Sequence, residues 1–174
     1  MVADSLTRTG DGALARGRLL DLRQAVSAFG FHLATMDTRQ NSDVHERAVA
    51  ELLNVAGAEN EYLALPEQKR TALLERELSH ARPLRSPYAA YSALTARELA
   101  IADHVAALKR DFGQGAVAQY VISKASSVSD LLEVAVLMKE AGLFVPGERA
   151  QPRIVPLFDT IGDLRRSADV MGEF

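Results

Sequence analysis

The chain has 174 residues, of which 48% are hydrophobic and 25% charged, and its net charge is -3 at pH 7. This composition predicts one globular unit with a real core and argues against disorder. A slightly acidic chain offers no basic face for nucleic acid, and the lack of cysteine excludes disulfides and thiolate metal sites. Because no apolar run approaches the roughly 20 residues of a membrane span and no signal-peptide pattern opens the chain, we expect a cytoplasmic protein without a membrane partner.

Short apolar runs and amphipathic helices alternate along the chain. The first run, residues 28–36, predicts a strand, and a helix that begins at Ser42 follows it. A helix after Pro66 and a long helix that stops at Gly113 come next. With a helix expected before the first strand, the order of elements up to this point is helix, strand and then three helices.

Two further apolar runs, residues 116–122 and 154–158, predict two more strands, each followed by a helix. Strands that alternate with helices predict a helix-rich α/β fold with a parallel sheet, and continuous apolar runs favour strands buried on both faces. Three strands are too few to close a barrel, so the pattern indicates an incomplete fold.

Polar residues follow each predicted strand, at the end where parallel α/β proteins bind their ligands. They are residues 37–42 after the first strand, residues 123–127 after the second, and Asp159 with Thr160 after the third. Each cluster leads into a helix N-terminus, whose free N–H groups favour anions, and a nearby arginine can bind a phosphate or carboxylate. The residues alone therefore predict an anionic substrate, with a carboxylate-bound metal as a further expectation.

Structural explanations exist for the same residues. Asp37 and Arg39 are equally consistent with an ion pair at a strand end. Lys124 is better explained as a solvated side chain than as an anion ligand. Helix capping is a better explanation than catalysis for four residues, Ser127, Asp130, Thr160 and Asp163.

Several segments are similar to those of one known family. Residues 29–46 (FGFHLATMDTRQNSDVHE) resemble the part of bacterial phosphoenolpyruvate carboxylases in which a strand ends in Asp-hydrophobic-Arg-Gln. Residues 120–143 and 155–171 resemble the next two strands of that family with their helices, and residues 75–84 resemble an intervening helix and loop. The resemblance runs in order through almost the whole chain.

The resemblance implies that residues 1–174 are an incomplete part of a (β/α)8, TIM-type barrel, with about three parallel strands and flanking helices. It also implies carboxylation of phosphoenolpyruvate by bicarbonate to oxaloacetate and phosphate, with Mg²⁺ or Mn²⁺ as cofactor. In that family the arginine of the Arg-Gln pair contacts the substrate phosphate, which makes Arg39 the catalytic and substrate-binding residue here. The carboxylate after Pro-Leu-Phe binds the metal, which falls on Asp159. Self-association is expected because the family is homotetrameric.

This sequence also departs from the family pattern. Asp159 stands where the family has Glu, and Thr38 replaces an apolar residue. The family's catalytic histidine, its second metal-binding aspartate and its glycine- and arginine-rich loop have no match in the chain, so we expect no activity from the chain alone. Two other hypotheses stay open: a truncated relative that binds an anion or a partner, and a helical interaction protein without a ligand.

Overall fold

The structure is a computed structural model that describes residues 1–30, 32–147 and 150–174. Two helices precede the first strand, three helices connect it to the second, and one helix follows each of the remaining strands. The helices are α1 (Val2–Arg8), α2 (Arg18–Phe29), α3 (Ser42–Val55), α4 (Glu67–Leu78), α5 (Ala93–Phe112), α6 (Val128–Glu140) and α7 (Ile161–Glu173). The strands are β1 (Met36–Asn41), β2 (Val117–Ser123) and β3 (Arg153–Pro156). In this part of the chain, no helix combines the length and the hydrophobicity that crossing a membrane requires.

The strands form one parallel sheet in the order β1-β2-β3. Arg39 lies opposite Val121, which lies opposite Val155. Pairing continues beyond β3, since the Leu157 N–H donates to the Ile122 carbonyl at 2.7 Å. The predicted helix-rich α/β fold with a parallel sheet is confirmed, and within the described ranges the sheet is open, with β1 and β3 at its edges.

The first strand lies later in the chain than its apolar run predicted. Residues 28 and 29 end α2, and β1 is the polar sequence MDTRQN. The prediction of a strand over residues 28–36 is therefore wrong except at Met36, while Phe31 lies outside the described residues. The physical reason is that β1 is an edge strand with one exposed face, so a buried apolar sequence is not needed there.

The two faces of the sheet have different surroundings. Tyr120 and Ile122 of β2 are at most 4% exposed and pack with the helices. Side chains alternate along a strand, so their neighbours in sequence point to the opposite face. We call this second face the open face. It carries the buried Ser123 at the end of β2 and six residues that are exposed or half-buried: Asp37, Arg39, Gln119, Val121, Arg153 and Val155. The prediction of strands buried on both faces is therefore wrong for β1 and β3 and holds only in part for β2.

The core lies on the covered side of the sheet and centres on α6. Eleven of the 13 residues of this helix are buried. It packs against α3, α4 and α5, where Leu52 and Leu74 are fully buried. Fully burying one leucine side chain stabilises a fold by roughly 1.5–3 kcal/mol. The α6 contacts therefore supply much of the stability.

The predicted caps are confirmed at the two helices that follow β2 and β3. Ser127 and Asp130 form a capping box at the start of α6. The Thr160 hydroxyl accepts a hydrogen bond from the Asp163 N–H at 3.1 Å and so caps α7. All four residues are accounted for by helix capping, as expected from the sequence.

Candidate functional site

The carboxyl ends of the three parallel strands lie side by side at one end of the sheet, which we call the carboxyl edge. β1 ends at Asn41, β2 at Ser123 and β3 at Pro156. The sequence-predicted site residues Arg39 and Asp159 both lie at this edge, in β1 and in the segment after β3. Each contacts a residue at the end of β2, so the fold brings the two predicted residues into one region.

Arg39 lies on the open face, and its side chain is held by the neighbouring strand. Its Nε donates a hydrogen bond to Ser123 Oγ at 2.8 Å. Among the described residues no carboxylate lies within ion-pair distance of Arg39, so the alternative of an Asp37–Arg39 ion pair is wrong. The guanidinium is therefore exposed and oriented, and no carboxylate of the described residues neutralises it.

Asp159 is held by the main chain at the end of β2. Its Oδ2 accepts a hydrogen bond from the Lys124 N–H at 2.7 Å. Lys124 has a φ of 60°, in the left-handed region that residues with a side chain rarely adopt. On its other side, the Lys124 carbonyl accepts a hydrogen bond from the Ser42 hydroxyl at 3.0 Å. The Lys124 side chain is exposed, as the sequence predicted, and it is the Lys124 main chain that organises the site.

The residues at this edge do not form a metal site by themselves. Across residues 1–30, 32–147 and 150–174, no group of three His, Asp or Glu side chains is placed to hold a metal ion. Asp159 offers one carboxylate, and one of its oxygens already accepts a main-chain hydrogen bond. Mg²⁺ requires near-octahedral oxygen coordination, usually through one or two carboxylates together with waters and substrate oxygens. The described chain thus supplies at most one part of a metal-binding set.

A hydrogen-bond network supports β1 on the helix side of the sheet. Gln40 points away from Arg39 and donates from Nε2 to Glu98 Oε1 at 3.0 Å, while its own Oε1 accepts the Asn41 N–H at 3.0 Å. Glu98 is only 2% exposed and also accepts from Arg97 Nε at 3.2 Å. Sequence reasoning missed this network. The available signal was the position of Gln40, which alternates with Arg39 and so points to the helix side.

His45 and Tyr120 form a second buried contact on the helix side of the sheet. The His45 Nε2 lies 3.1 Å from the Tyr120 hydroxyl, and the two rings meet edge to face with centroids 5.5 Å apart. Burial lowers the pKa of His45 to about 4, so the imidazole is neutral at pH 7. Burial likewise raises the pKa of Tyr120. The contact lies in the core, away from the exposed strand ends.

A third polar cluster joins α6 to the 3₁₀ turn Tyr62–Ala64 and to α4. The Tyr62 hydroxyl donates to Glu133 Oε1 at 2.7 Å, and the Arg70 guanidinium lies 5.2 Å from the centre of the Tyr62 ring. Burial raises the pKa of Glu133 well above its usual value, which favours the neutral acid. Arg70 pairs with Glu46 at the rim of the cluster. We interpret this cluster as structural, because it lies within the helical core.

The arrangement at the strand ends is suited to binding an anion. It combines an exposed guanidinium with a helix N-terminus, since α3 begins at Ser42, three residues after Arg39. None of the described side chains that contact Arg39 or Asp159 is a histidine or lysine placed for proton transfer. The site can therefore hold a phosphate or carboxylate, whereas the described residues provide no complete catalytic set.

Comparisons with known proteins agree with these observations. The family model described as phosphoenolpyruvate carboxylase matches residues 1–174. Proteins named phosphoenolpyruvate carboxylase are 56% identical over 168 residues in Azoarcus sp. (strain BH72) and 51% identical over 167 residues in Rhodopseudomonas palustris (strain BisB5). A third, from Burkholderia mallei (strain SAVP1), is 44% identical over 182 residues.

These matches cover 96% of the chain for the first two relatives and 100% for the third. The chain spans only 18% of the length of each of these relatives. Similarity over the whole of the chain, together with the strand-end position of Arg39 and Asp159, leads to one conclusion. The chain belongs to the phosphoenolpyruvate carboxylase family.

Proposed function

We propose that this chain is the part of a phosphoenolpyruvate carboxylase that supplies the phosphate-binding arginine, Arg39, and one metal-binding carboxylate, Asp159. The complete enzyme would join phosphoenolpyruvate and bicarbonate to give oxaloacetate and phosphate, an anaplerotic reaction. The observation that carries the proposal is the exposed Arg39 guanidinium, fixed at the strand ends without a carboxylate partner among the described residues. An arginine in this state is available for the phosphate of a substrate.

The three-stranded sheet is consistent with the first part of a (β/α)8 barrel. In such barrels substrates bind at the carboxyl ends of the strands, where Arg39 and Asp159 lie. The open face would then be the inner wall of the barrel. The Mg²⁺ or Mn²⁺ that the family implies would need ligands beyond Asp159, because no group of three His, Asp or Glu side chains among the described residues is placed to hold a metal ion.

We expect no carboxylase activity from the chain alone. Residues that act together lose nearly all catalysis when some of them are missing, and the described residues provide only an anion site and one carboxylate. Oxaloacetate formation, coupled to NADH oxidation by malate dehydrogenase at saturating Mg²⁺, measures this directly. Turnover above background that disappears in Arg39→Ala would contradict the expectation.

A segment exchange tests the function of Arg39. The matching region of the Azoarcus relative, 56% identical to this chain, would be replaced by these 174 residues. We expect an active chimera that loses about a hundredfold or more of its activity in Arg39→Ala, since one charged group that stabilises developing charge contributes about that much. The control is Arg153→Ala, an exposed arginine on the same face but at the amino end of β3, which we expect to leave activity within about twofold.

Asp159 can be tested in the same chimera. Asp159→Ala should lower activity sharply, and Asp159→Glu should preserve it, because the longer side chain keeps the carboxylate. Retained activity in the alanine variant would rule out the proposed role in metal binding. Loss of activity in both variants would indicate that the hydrogen bond from the Lys124 N–H, at 2.7 Å, requires the shorter side chain.

A second candidate function is a non-catalytic anion-binding module. It is favoured by the accessible Arg39 at the sheet edge together with an incomplete set of metal ligands in the described residues. The two functions differ in the exchange experiment. An inactive chimera, combined with phosphate binding by the isolated chain that depends on Arg39, would support the module and contradict the enzyme segment.

A further inference from the structure

Ser123 makes a contact whose geometry matters for Arg39. The serine lies at the end of β2 and is 5% exposed, and its hydroxyl oxygen accepts a hydrogen bond from Arg39 Nε at 2.8 Å. Asn41, two residues after Arg39 on the same strand, is the register partner of Ser123. The serine hydroxyl therefore reaches diagonally across the two strands to the base of the guanidinium.

The position of the bond on the guanidinium determines what the rest of the group can do. A guanidinium has five N–H donors in one plane, and the Nε–H lies on the side of the chain stem. A hydrogen bond at Nε fixes the plane and leaves the two terminal nitrogens of Arg39, Nη1 and Nη2, directed away from the stem. These two nitrogens form the fork that binds phosphate or carboxylate with two parallel hydrogen bonds.

The chemical nature of the acceptor matters as well. A hydroxyl oxygen is neutral, so it orients the guanidinium without cancelling its charge. A carboxylate in the same place would orient the arginine equally well but would compete with an incoming anion. Because Ser123 is buried at the end of a strand, the sheet fixes its position. The Arg39 side chain bonded to it is therefore already restricted, and it loses little further side-chain entropy when an anion binds.

We propose that Ser123 is a positioning residue that presents the Arg39 guanidinium to a phosphate-bearing ligand. The inference rests on the proposed function of Arg39 as the anion-binding group. It assigns Ser123 no contact with the ligand; the serine acts through the plane and direction of the guanidinium. A hydroxyl at position 123 is then the requirement, and threonine should meet it.

The first measurement follows the Arg39 Nε–H itself. In the ¹⁵N-labelled chain, the Nε–H resonance of Arg39 is assigned by its disappearance in Arg39→Lys, and its exchange with water is measured. We expect slow exchange in the unaltered chain and in Ser123→Thr, and exchange about tenfold faster or more in Ser123→Ala. Ser126→Ala is the matched control, since this serine hydroxyl lies 3.3 Å from Asp130 Oδ2 and not against Arg39. Unchanged exchange in Ser123→Ala would overturn the proposal.

The second measurement titrates the same chains with inorganic phosphate. We expect Ser123→Ala to weaken phosphate binding about tenfold, in line with loss of one hydrogen bond to a charged group, while Ser123→Thr and Ser126→Ala bind as the unaltered chain does. Equal affinity in Ser123→Ala, in a chain whose binding is lost in Arg39→Ala, would overturn the positioning role. If Arg39→Ala binds phosphate as well as the unaltered chain, the proposed function fails instead. The exchange experiment needs no anion and still decides whether Ser123 holds the guanidinium.

Discussion

The region around α6 and the open face of the sheet differ in burial and in where their polar side chains find partners. Around α6, Lys139 has its hydrogen-bond partners within the chain, since it donates to the carbonyls of Glu77, His80 and Arg82. On the open face, Arg39 and Arg153 are exposed, and Val121 and Val155 are only half-buried. We therefore expect stability and the proposed anion binding to depend on separate residues, so substitutions in the two regions should be detected by different assays.

The largest effect should come from making a cavity near α6. Leu52 is fully buried, and Leu52→Ala should lower the free energy of unfolding by about 2–5 kcal/mol, because a cavity adds to the lost burial. Leu22→Ala is the matched control, since Leu22 in α2 is 60% exposed and its loss should cost less than about 0.5 kcal/mol. Urea unfolding measures both. Similar losses in the two variants would contradict the division between a packed region and a peripheral one.

A pH-dependent loss of stability is expected from His45, also in the packed region. Its pKa is lowered by burial from 6.5 to about 4, so the unfolded chain binds a proton at a pH where the folded chain does not. Stability should therefore fall as the pH drops from 6.5 to about 4, by about 3 kcal/mol in total, and show no further loss from this group below that range.

The contribution of His45 is isolated by comparison with His45→Gln, which does not titrate. The nearby groups Asp43 and Tyr120 are common to both chains, so their effects cancel in the difference. We expect the unfolding free energies of the two chains to converge as the pH falls, in urea titrations at several pH values. A constant difference over the range would show that His45 is not held neutral in the folded chain.

Removing the N-terminal caps of α6 and α7 should have smaller effects on stability, and the two effects should differ in kind. Ser127→Ala should cost about 1 kcal/mol of global stability, because α6 is part of the core. Thr160→Ala removes the same kind of cap from α7, in which only Asp163 and Val170 are buried. There we expect faster amide hydrogen exchange confined to α7, with little change in the urea midpoint. Equal changes in global stability would mean that α7 unfolds together with the core.

The smallest change in stability is expected on the open face, where assembly should respond instead. Two sheet edges and a half-buried apolar surface favour pairing between copies, so we propose that the isolated chain self-associates. Val155→Lys places a charge on this face and should reduce concentration-dependent light scattering, with less than about 0.5 kcal/mol change in unfolding. Leu164→Lys adds the same charge to α7, at a residue 64% exposed, and should leave scattering unchanged. A monomeric unaltered chain at all concentrations would refute self-association.

Local patterns were predicted from the sequence more reliably than contacts between distant segments. The caps at Ser127 and Thr160 depend on residues three apart, and both are confirmed. The first strand was misplaced because periodicity favours apolar runs, whereas β1 exposes one of its faces. Arg39 remains a predicted phosphate-binding residue, and its contact with Ser123 spans 84 residues of sequence, which no spacing rule reports.

The same limit applies to the buried polar groups. Glu133 and Glu98 are acidic residues at helix positions where a charged side chain is normally placed in solvent. Their burial depends on Tyr62 and Gln40, which come from other elements. The sequence could therefore predict a parallel sheet with polar clusters after its strands, while the partners of these buried groups required the three-dimensional arrangement.

The central position of α6 has a consequence for how the chain folds as it is synthesised. Helices α3, α4 and α5 all pack against α6, yet they precede it in the chain. A ribosome adds residues from the N-terminus, so these three helices emerge before the surface that buries their apolar sides. Packing of these helices against α6 therefore cannot be completed before about residue 140 has left the exit tunnel, and until then the sides that α6 covers stay exposed.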